Sequence, residues 1–306
     1  MKLRFWGVRG SIPCPGPTTL RHGGNTPCYE VKTRAGECVI LDAGTGIRGL
    51  GADLMKRGPP PPIHLLISHT HWDHIQGFPF FIPCYIPGAS IRITGPMQLN
   101  SNQTIEKAFQ LQMSYEFFPI SRQQLAAQIR YESFGETRFK LGSLDAQTHL
   151  VNHPVLSLGY RLTEDGRSLV YTGDHEPYQN LFKAKPGEAA GDEDDSLFGN
   201  ADTAVATADK RFIEFIRNAH VLLIDCTYTP EEYPSQRRGW GHSSWDHCLR
   251  WMREGGVERM VLTHHDPMRT DDLLDAQLAR ARQAAREQGI SSDRILAAAE
   301  GQEIDV

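Results

Sequence analysis

Three imidazoles and a carboxylate fall within six residues in the stretch Ser68-His69-Thr70-His71-Trp72-Asp73-His74, directly after the apolar run Ile63-His64-Leu65-Leu66-Ile67. Zinc and similar ions take neutral imidazole nitrogen and carboxylate oxygen, and a catalytic ion needs such donors while a position stays open for water. His69 and His71, two apart, can serve one ion, and Asp73 and His74 a second. The competing explanation is a group of surface histidines with Asp73 capping a helix that Ile75 begins. It accounts for a lone histidine far better than for three beside an aspartate.

Further chemistry-bearing side chains stand where other apolar runs end. In Thr148-His149-Leu150-Val151-Asn152-His153-Pro154 either histidine could ligate; His153 is favoured because it ends the alternating strand and Pro154 fixes the chain after it, whereas His149 falls within the strand. Tyr171-Thr172-Gly173-Asp174-His175 supplies a carboxylate able to bridge two cations, although a capping aspartate ahead of Glu176-Pro177 explains that segment equally well. The strand at 257–263 delivers His264-His265-Asp266-Pro267, and alternation sends neighbouring side chains apart, so one of the pair should ligate and His264 is chosen. His242 lies in the glycine-rich Gly239-Trp240-Gly241-His242-Ser243-Ser244-Trp245, before a helix that Ser243 or Ser244 would cap.

Strands must position these groups. Proline-rich punctuation at 58–62 before a short apolar run reads as a buried strand, with the histidine cluster at its C-terminal end, where α/β sheets place ligand sites. Strands are expected at 2–8, 28–33 and 37–41, a meander whose first connection, the Gly/Pro-rich loop 9–26, is too long for a hairpin. That loop carries Arg9, Arg21, His22 and Asn25, either substrate-facing or simply solvated. Asp42 precedes a glycine cluster that is a weak anion signal, and could orient a metal-bound histidine. Residues 77–87 are aromatic and proline-rich, a wall beside the site or ordinary core. Helices are expected at 100–113 and 121–129, a lobe that would cover the site or form an oligomer contact. Further strands at 90–94, from 128 onward, 156–162, 168–172 and 220–225, a mobile acidic loop at 185–209, and helices at 207–218 and 269–287 complete the pattern.

With 40% hydrophobic and 23% charged residues and 28 glycines, the 306 residues are expected to form a single domain, 1–306, with a helical insertion at about 100–129 and the acidic loop at about 185–209. A formal charge of −5 argues against sequence-independent attraction to nucleic acid, which rests on phosphate neutralisation by Lys and Arg. The six scattered cysteines lack a C-x-x-C pair and read as reduced core residues; with no apolar leader and no span of roughly 20 apolar residues, the expectation is a cytoplasmic protein without a membrane partner.

H-x-H-x-D-H at 69–74, His153 in N-H-P, Asp174 in Y-T-G-D and His264 in L-T-H-H-D-P together resemble the metallo-β-lactamase superfamily. The resemblance implies an α/β fold, a four-layer αβ/βα sandwich of two mixed β-sheets with metals at one sheet edge. By it, His69, His71 and His153 match a first metal site, Asp73, His74 and His264 a second, and Asp174 the bridging carboxylate. Gly241-His242-Ser243 is similar to the segment that supplies a leaving-group histidine in ribonuclease Z-like enzymes, while Phe5-Trp6-Gly7-Val8-Arg9-Gly10-Ser11-Ile12-Pro13 with Gly23-Gly24-Asn25-Thr26 resembles small-phosphodiester and cyclic-nucleotide relatives. No counterpart of the tRNA-clamping arm stands out. The resemblance therefore implies a binuclear phosphodiesterase of a small phosphodiester such as a cyclic nucleotide, with two divalent ions, zinc from the His-rich donors although Mn or Fe also fits, and with Asp73 and His242 as catalytic groups. The alternatives are a tRNA 3′-processing nuclease, a glyoxalase II-like thioesterase or lactonase, and a regulatory protein with an inert site; a homodimer is the alternative use of the 100–129 lobe.

Overall fold

The computed structural model describes residues 1–97, 104–180, 201–233 and 237–306. Strands β1 (Lys2–Gly7), β2 (Cys28–Lys32), β3 (Cys38–Leu41), β4 (Ile63–Leu66), β5 (Ser90–Pro96) and β6 (Gln128–Phe134) join the C-terminal β14 (Glu303–Asp305) in one seven-stranded sheet, ordered β14-β1-β2-β3-β4-β5-β6. The second runs β13-β12-β11-β10-β9-β8-β7, from β7 (Arg138–Leu141), β8 (Leu144–Val151), β9 (Ser157–Glu164), β10 (Arg167–Tyr171), β11 (Val221–Asp225), β12 (Arg259–Thr263) and β13 (Ile295–Ala297). Each sheet is half antiparallel and half parallel: β3 to β6 and β10 to β13 pair parallel.

Strand period two assigns the layers. Along β3, Val39 and Leu41 enter the core between the sheets while Cys38 and Ile40 enter the core outside the first sheet. Along β11, Val221 and Leu223 face the inner core and Leu222 and Ile224 the helices outside the second sheet. Helices α1 (Gly46–Lys56), α2 (Trp72–Ile75) and α3 (Ile105–Gln112) cover the first sheet; α4 (Ala201–Ile216), α5 (Trp245–Glu254) and α6 (Asp271–Glu287) cover the second. The result is the expected four-layer αβ/βα sandwich. Among the described residues no helix is long and apolar enough to cross a membrane.

Two local expectations are corrected. No helix forms over 121–129: Arg122–Gln124 makes a single 3-10 turn with a Ser121/Gln124 capping box, and the chain enters β6 at Gln128. Parallel pairing of Ile129 with Ile91 and Tyr131 with Ile93 overrides the helix propensity of Gln-Gln-Leu-Ala-Ala. Of the expected acidic loop, 185–200 lies outside the described residues, and 201–209 is the alanine-rich first half of α4. Of the first expected helix, 100–103 lies outside them too; α3 starts after Thr104, whose hydroxyl accepts from the Lys107 N–H.

Candidate metal centre

Six of the chain's strands end on the same edge of the sandwich, and each hands over one or more polar side chains there. β3 is followed by Asp42, β4 by Ser68 to His74, β8 by His153, β10 by Asp174, β11 ends in Asp225, and β12 is followed by His264. Within each of two groups the ligand atoms lie within 4.8 Å of one another: His69, His71, His153 and Asp174, and Asp73, His74, Asp174 and His264. Every residue singled out from sequence as a metal ligand is therefore brought into one of two adjoining clusters. Asp174 belongs to both, its Oδ2 lying 3.6 Å from His69 Nε2, 3.2 Å from His74 Nε2 and 3.3 Å from His264 Nε2.

Partners on the far side of each ring fix which nitrogen faces the cluster. His74 gives Nδ1 to Asp42 at 2.7 Å, His153 gives Nδ1 to the Gly241 carbonyl at 3.0 Å, and His264 Nδ1 lies 3.0 Å from the Thr227 hydroxyl. Asp42 also accepts from Ser68 N–H at 2.7 Å, the Ser68 hydroxyl at 2.8 Å and, across the sheets, the Tyr171 hydroxyl at 2.5 Å. The contact with His74 matches the expectation that Asp42 orients a histidine. His69 Nε2, His74 Nε2 and Asp174 Oδ1 are buried without a hydrogen-bond partner among the described residues. Such orphaned donor atoms are costly unless something satisfies them, and imidazole nitrogen with carboxylate oxygen is the donor set of a divalent transition ion. The residues present fit two such ions. Their charges are already interlocked: burial disfavours ionisation of Asp174, yet His264, His74 and His69 hold its carboxyl well below the usual range.

The backbone reaches this edge in unusual conformations. Ser11 (φ 63°), Asp42 (φ 60°) and His264 (φ 57°) sit in the left-handed region, each at a cost of about 1–2 kcal/mol for a residue with a Cβ. Ser11 thereby points its N–H at Asp73 Oδ2, 2.7 Å away. Gly10 makes the approach sterically feasible, since a Cβ there would lie 2.2 Å from the His264 ring.

His242 stacks on His264 with ring centroids 4.7 Å apart and gives Nδ1 to Asp225 Oδ2 at 2.9 Å. Burial opposes its protonation, but Asp225, with Asp174 and Asp73 behind it, raises its pKa to about 9. Glu176 holds the loop that carries it, accepting from Gly239 N–H at 2.7 Å, Gly241 N–H at 2.8 Å and the Tyr233 hydroxyl at 2.9 Å. Neither Asp225 nor Glu176 stands out in the sequence as a site residue. Asp225 ends a strand as Asp174 follows one, and that signal could have found it; Glu176 carries none.

Of the loop residues read as substrate-facing or solvated, Arg21 is solvated, in a surface ion pair, and Arg9, His22 and Asn25 are structural. Arg9 is fully buried and donates to the carbonyls of Gly23, Asp266 and Arg269; Arg21 and His22 pair with Asp275, and Asn25 with Glu300. They lash the N-terminal loop to α6 and the C-terminal strand. His265 faces away from the clusters, its Nε2 on the Ala298 carbonyl, and His149 lies within β8 beside Glu136.

A family model described as Beta-lactamase superfamily domain matches residues 38–191. Ribonuclease Z of Haloarcula marismortui is 25% identical over an alignment of 289 residues in length, with 86% of this chain and 86% of that protein covered. Among solved structures, the metallo-beta-lactamase fold protein YhfI of Bacillus subtilis aligns with a TM-score of 0.66 at 18% identity over 99% of both chains. Zinc-bound PqqB of Methylobacterium extorquens aligns with 0.62 at 14% identity over 100% of both, and at these identities the likeness is one of fold.

Proposed function

This chain belongs to the beta-lactamase superfamily, and on that premise we propose that it is a binuclear phosphodiesterase acting on a small phosphodiester. It is a metal-dependent hydrolase; the finer reading assigns His69, His71, His153 and Asp174 to one ion and Asp73, His74, Asp174 and His264 to the other. When bound, a pair of divalent ions supplies acidified water and charge neutralisation on phosphoryl oxygens. Zinc suits the His-rich donors, with Mn or Fe as candidates for the same set.

The chain's own groups divide the remaining work. Asp73, its Oδ2 fixed by the Ser11 amide, orients the attacking water. Asp225 on Nδ1 of His242 leaves Nε2 as the nitrogen that delivers a proton to the departing alkoxide. Glu176 keeps that loop at a fixed height over the cluster.

The observation that carries the reading is the carboxylate-tethered His242 beside the two clusters. An alkoxide departing from phosphorus needs an acid; a thiolate does not, which disfavours the glyoxalase II-like alternative. The ribonuclease Z relative keeps a nuclease as the second reading. All six cysteines are free thiols, which supports a reducing, cytoplasmic setting. The test is to assay metal-loaded protein side by side on bis-p-nitrophenyl phosphate, a panel of cyclic nucleotides, a tRNA precursor and S-lactoylglutathione. Turnover of the phosphodiesters without the thioester is expected; thioester turnover alone overturns the proposal.

A further inference from the structure

Trp240 is 55% exposed, yet the backbone on both sides of it is held by hydrogen bonds. The glycines on either side of it, Gly239 (φ 85°) and Gly241 (φ 88°), both give their N–H to the buried Glu176 carboxylate. The chain is thus pinned at both neighbours and the indole is thrown outward between them. Its own backbone N–H closes a turn on the Arg237 carbonyl at 3.2 Å.

Arg237 lies over this indole, its guanidinium carbon 4.6 Å from the ring centroid, and 5.8 Å from the ring of Tyr228. Tyr228, only 4% exposed, meets His242 edge to face at 5.9 Å. A continuous run of flat groups therefore leads from His242 through Tyr228 and Arg237 to the exposed face of Trp240. Arg237 has no carboxylate within ion-pair distance among the described residues, in a chain whose formal charge is −5.

Stacking on an arginine alone is worth only about 0.5–1 kcal/mol at an exposed site, a weak reason to hold a tryptophan in water on a fixed loop. A rigid, exposed aromatic surface beside an unmatched cation is instead the surface on which a base stacks while its phosphate is neutralised. We propose that Arg237 and Trp240, backed by the buried Tyr228, form a base-binding subsite on the leaving-group side of the metal centre, so that the alcohol expelled from phosphorus is a nucleoside. The inference rests on the phosphodiesterase reading and narrows it: the run starts at His242, which serves the departing oxygen, and not at Asp73. Stacking accepts any base, so the subsite selects for a nucleoside and little for its identity.

The test compares a dinucleoside monophosphate with the same nucleotide esterified by 1-O-methyl ribofuranose, the departing sugar without its base, in place of the departing nucleoside. The two alcohols differ in the base and little in basicity. Wild type should favour the dinucleoside in kcat/KM by roughly tenfold to a hundredfold, the range that stacking of one base provides. Trp240→Ala and Arg237→Ala should bring that ratio toward one, chiefly through KM, and Trp240→Phe should retain most of it. A wild-type ratio near one, or an equal loss on both substrates in Trp240→Ala, overturns the subsite. A readout independent of turnover is tryptophan emission: AMP should quench it in wild type, with a clearly smaller change in Trp240→Phe, while inorganic phosphate should not. If metal-loaded protein turns over no phosphodiester of the panel, the phosphodiesterase reading falls, and the emission titration still decides the subsite by itself.

Discussion

His242 and Asp42 make opposite uses of a buried carboxylate–imidazole contact. Asp225 favours the charged ring of His242, which suits a proton donor. Asp42, satisfied by Ser68 and Tyr171 as well, fixes the ring of His74 so that Nε2 faces Asp73 and Asp174. His242→Ala should therefore cost on the order of 10² to 10⁴ in rate on a cyclic nucleotide, whose alkoxide needs a proton, and far less on an activated aryl ester. Metal content should stay unchanged, and an equal loss on both substrates would defeat the general-acid role. Asp42→Asn removes the charge behind His74 and should weaken metal affinity about 10- to 100-fold, read by competition with a chromophoric chelator. Undiminished affinity would show that Asp42 serves folding alone.

At the scale of elements, the first turn of α5 follows directly on the His242 loop. There Ser244 and His247 surround Asp246, with the Ser244 hydroxyl 2.5 Å from Oδ1 and His247 Nδ1 3.5 Å from it. Partial burial acts to raise the Asp246 pKa, and the bonds from His247 and Ser244 reverse this, lowering it from 3.8 to about 2. A depressed folded pKa gives stability that is complete above the unfolded value near 4 and is lost as pH falls through the folded value. The stability gap between wild type and Asp246→Asn should therefore be present at about pH 5 and close between about 4 and 2. The side chain is 44% exposed, so the gap at neutral pH should stay below about 1 kcal/mol, measurable by urea unfolding. Whether the 100–129 lobe covers the site or forms an oligomer contact is a question for point changes, because Ile105, Phe109 and Met113 are core residues packed with Phe78 and Ile91 and deleting the lobe would also open the core.

For the whole molecule, each cluster draws two residues from each sheet: His69 and His71 with His153 and Asp174, and Asp73 and His74 with Asp174 and His264. Bound ions would clip the open edge of a sandwich whose interior is already joined by the shared core and by the Tyr171 hydroxyl on Asp42. We propose that residues 1–306 unfold as one unit. Chelation should then lower the single thermal midpoint by several degrees, since ligand at 100 times its dissociation constant stabilises by about 2.7 kcal/mol. Two equivalents of divalent metal should restore both midpoint and activity. Full activity with fewer than two transition ions per loaded chain would remove the binuclear assignment.

The proposed ligand set is legible in the sequence because each member follows a strand, and strand ends are marked locally: an apolar run stops and a polar group begins. Its place directly after β12 selects His264 over His265, and Pro154 marks His153, from neighbours a few positions away. The two sheets are legible for the same reason, since period two shows in four or five residues. What the sequence leaves open are pairings between segments far apart in the chain. Ser11 with Asp73, Asp225 with His242, and Glu176 with Gly239 and Gly241 are hydrogen bonds whose partners no local spacing specifies. Arg9 reads equally as a substrate ligand or a strut until α6 and the C-terminus are in place around it. The 121–129 segment, helical by propensity, becomes a turn and a strand because β5 offers an edge to pair with. Local chemistry determined which groups could act. The meeting of two sheet edges decided which of them are held by others, because a hydrogen bond depends on a position in space that only the closed fold supplies.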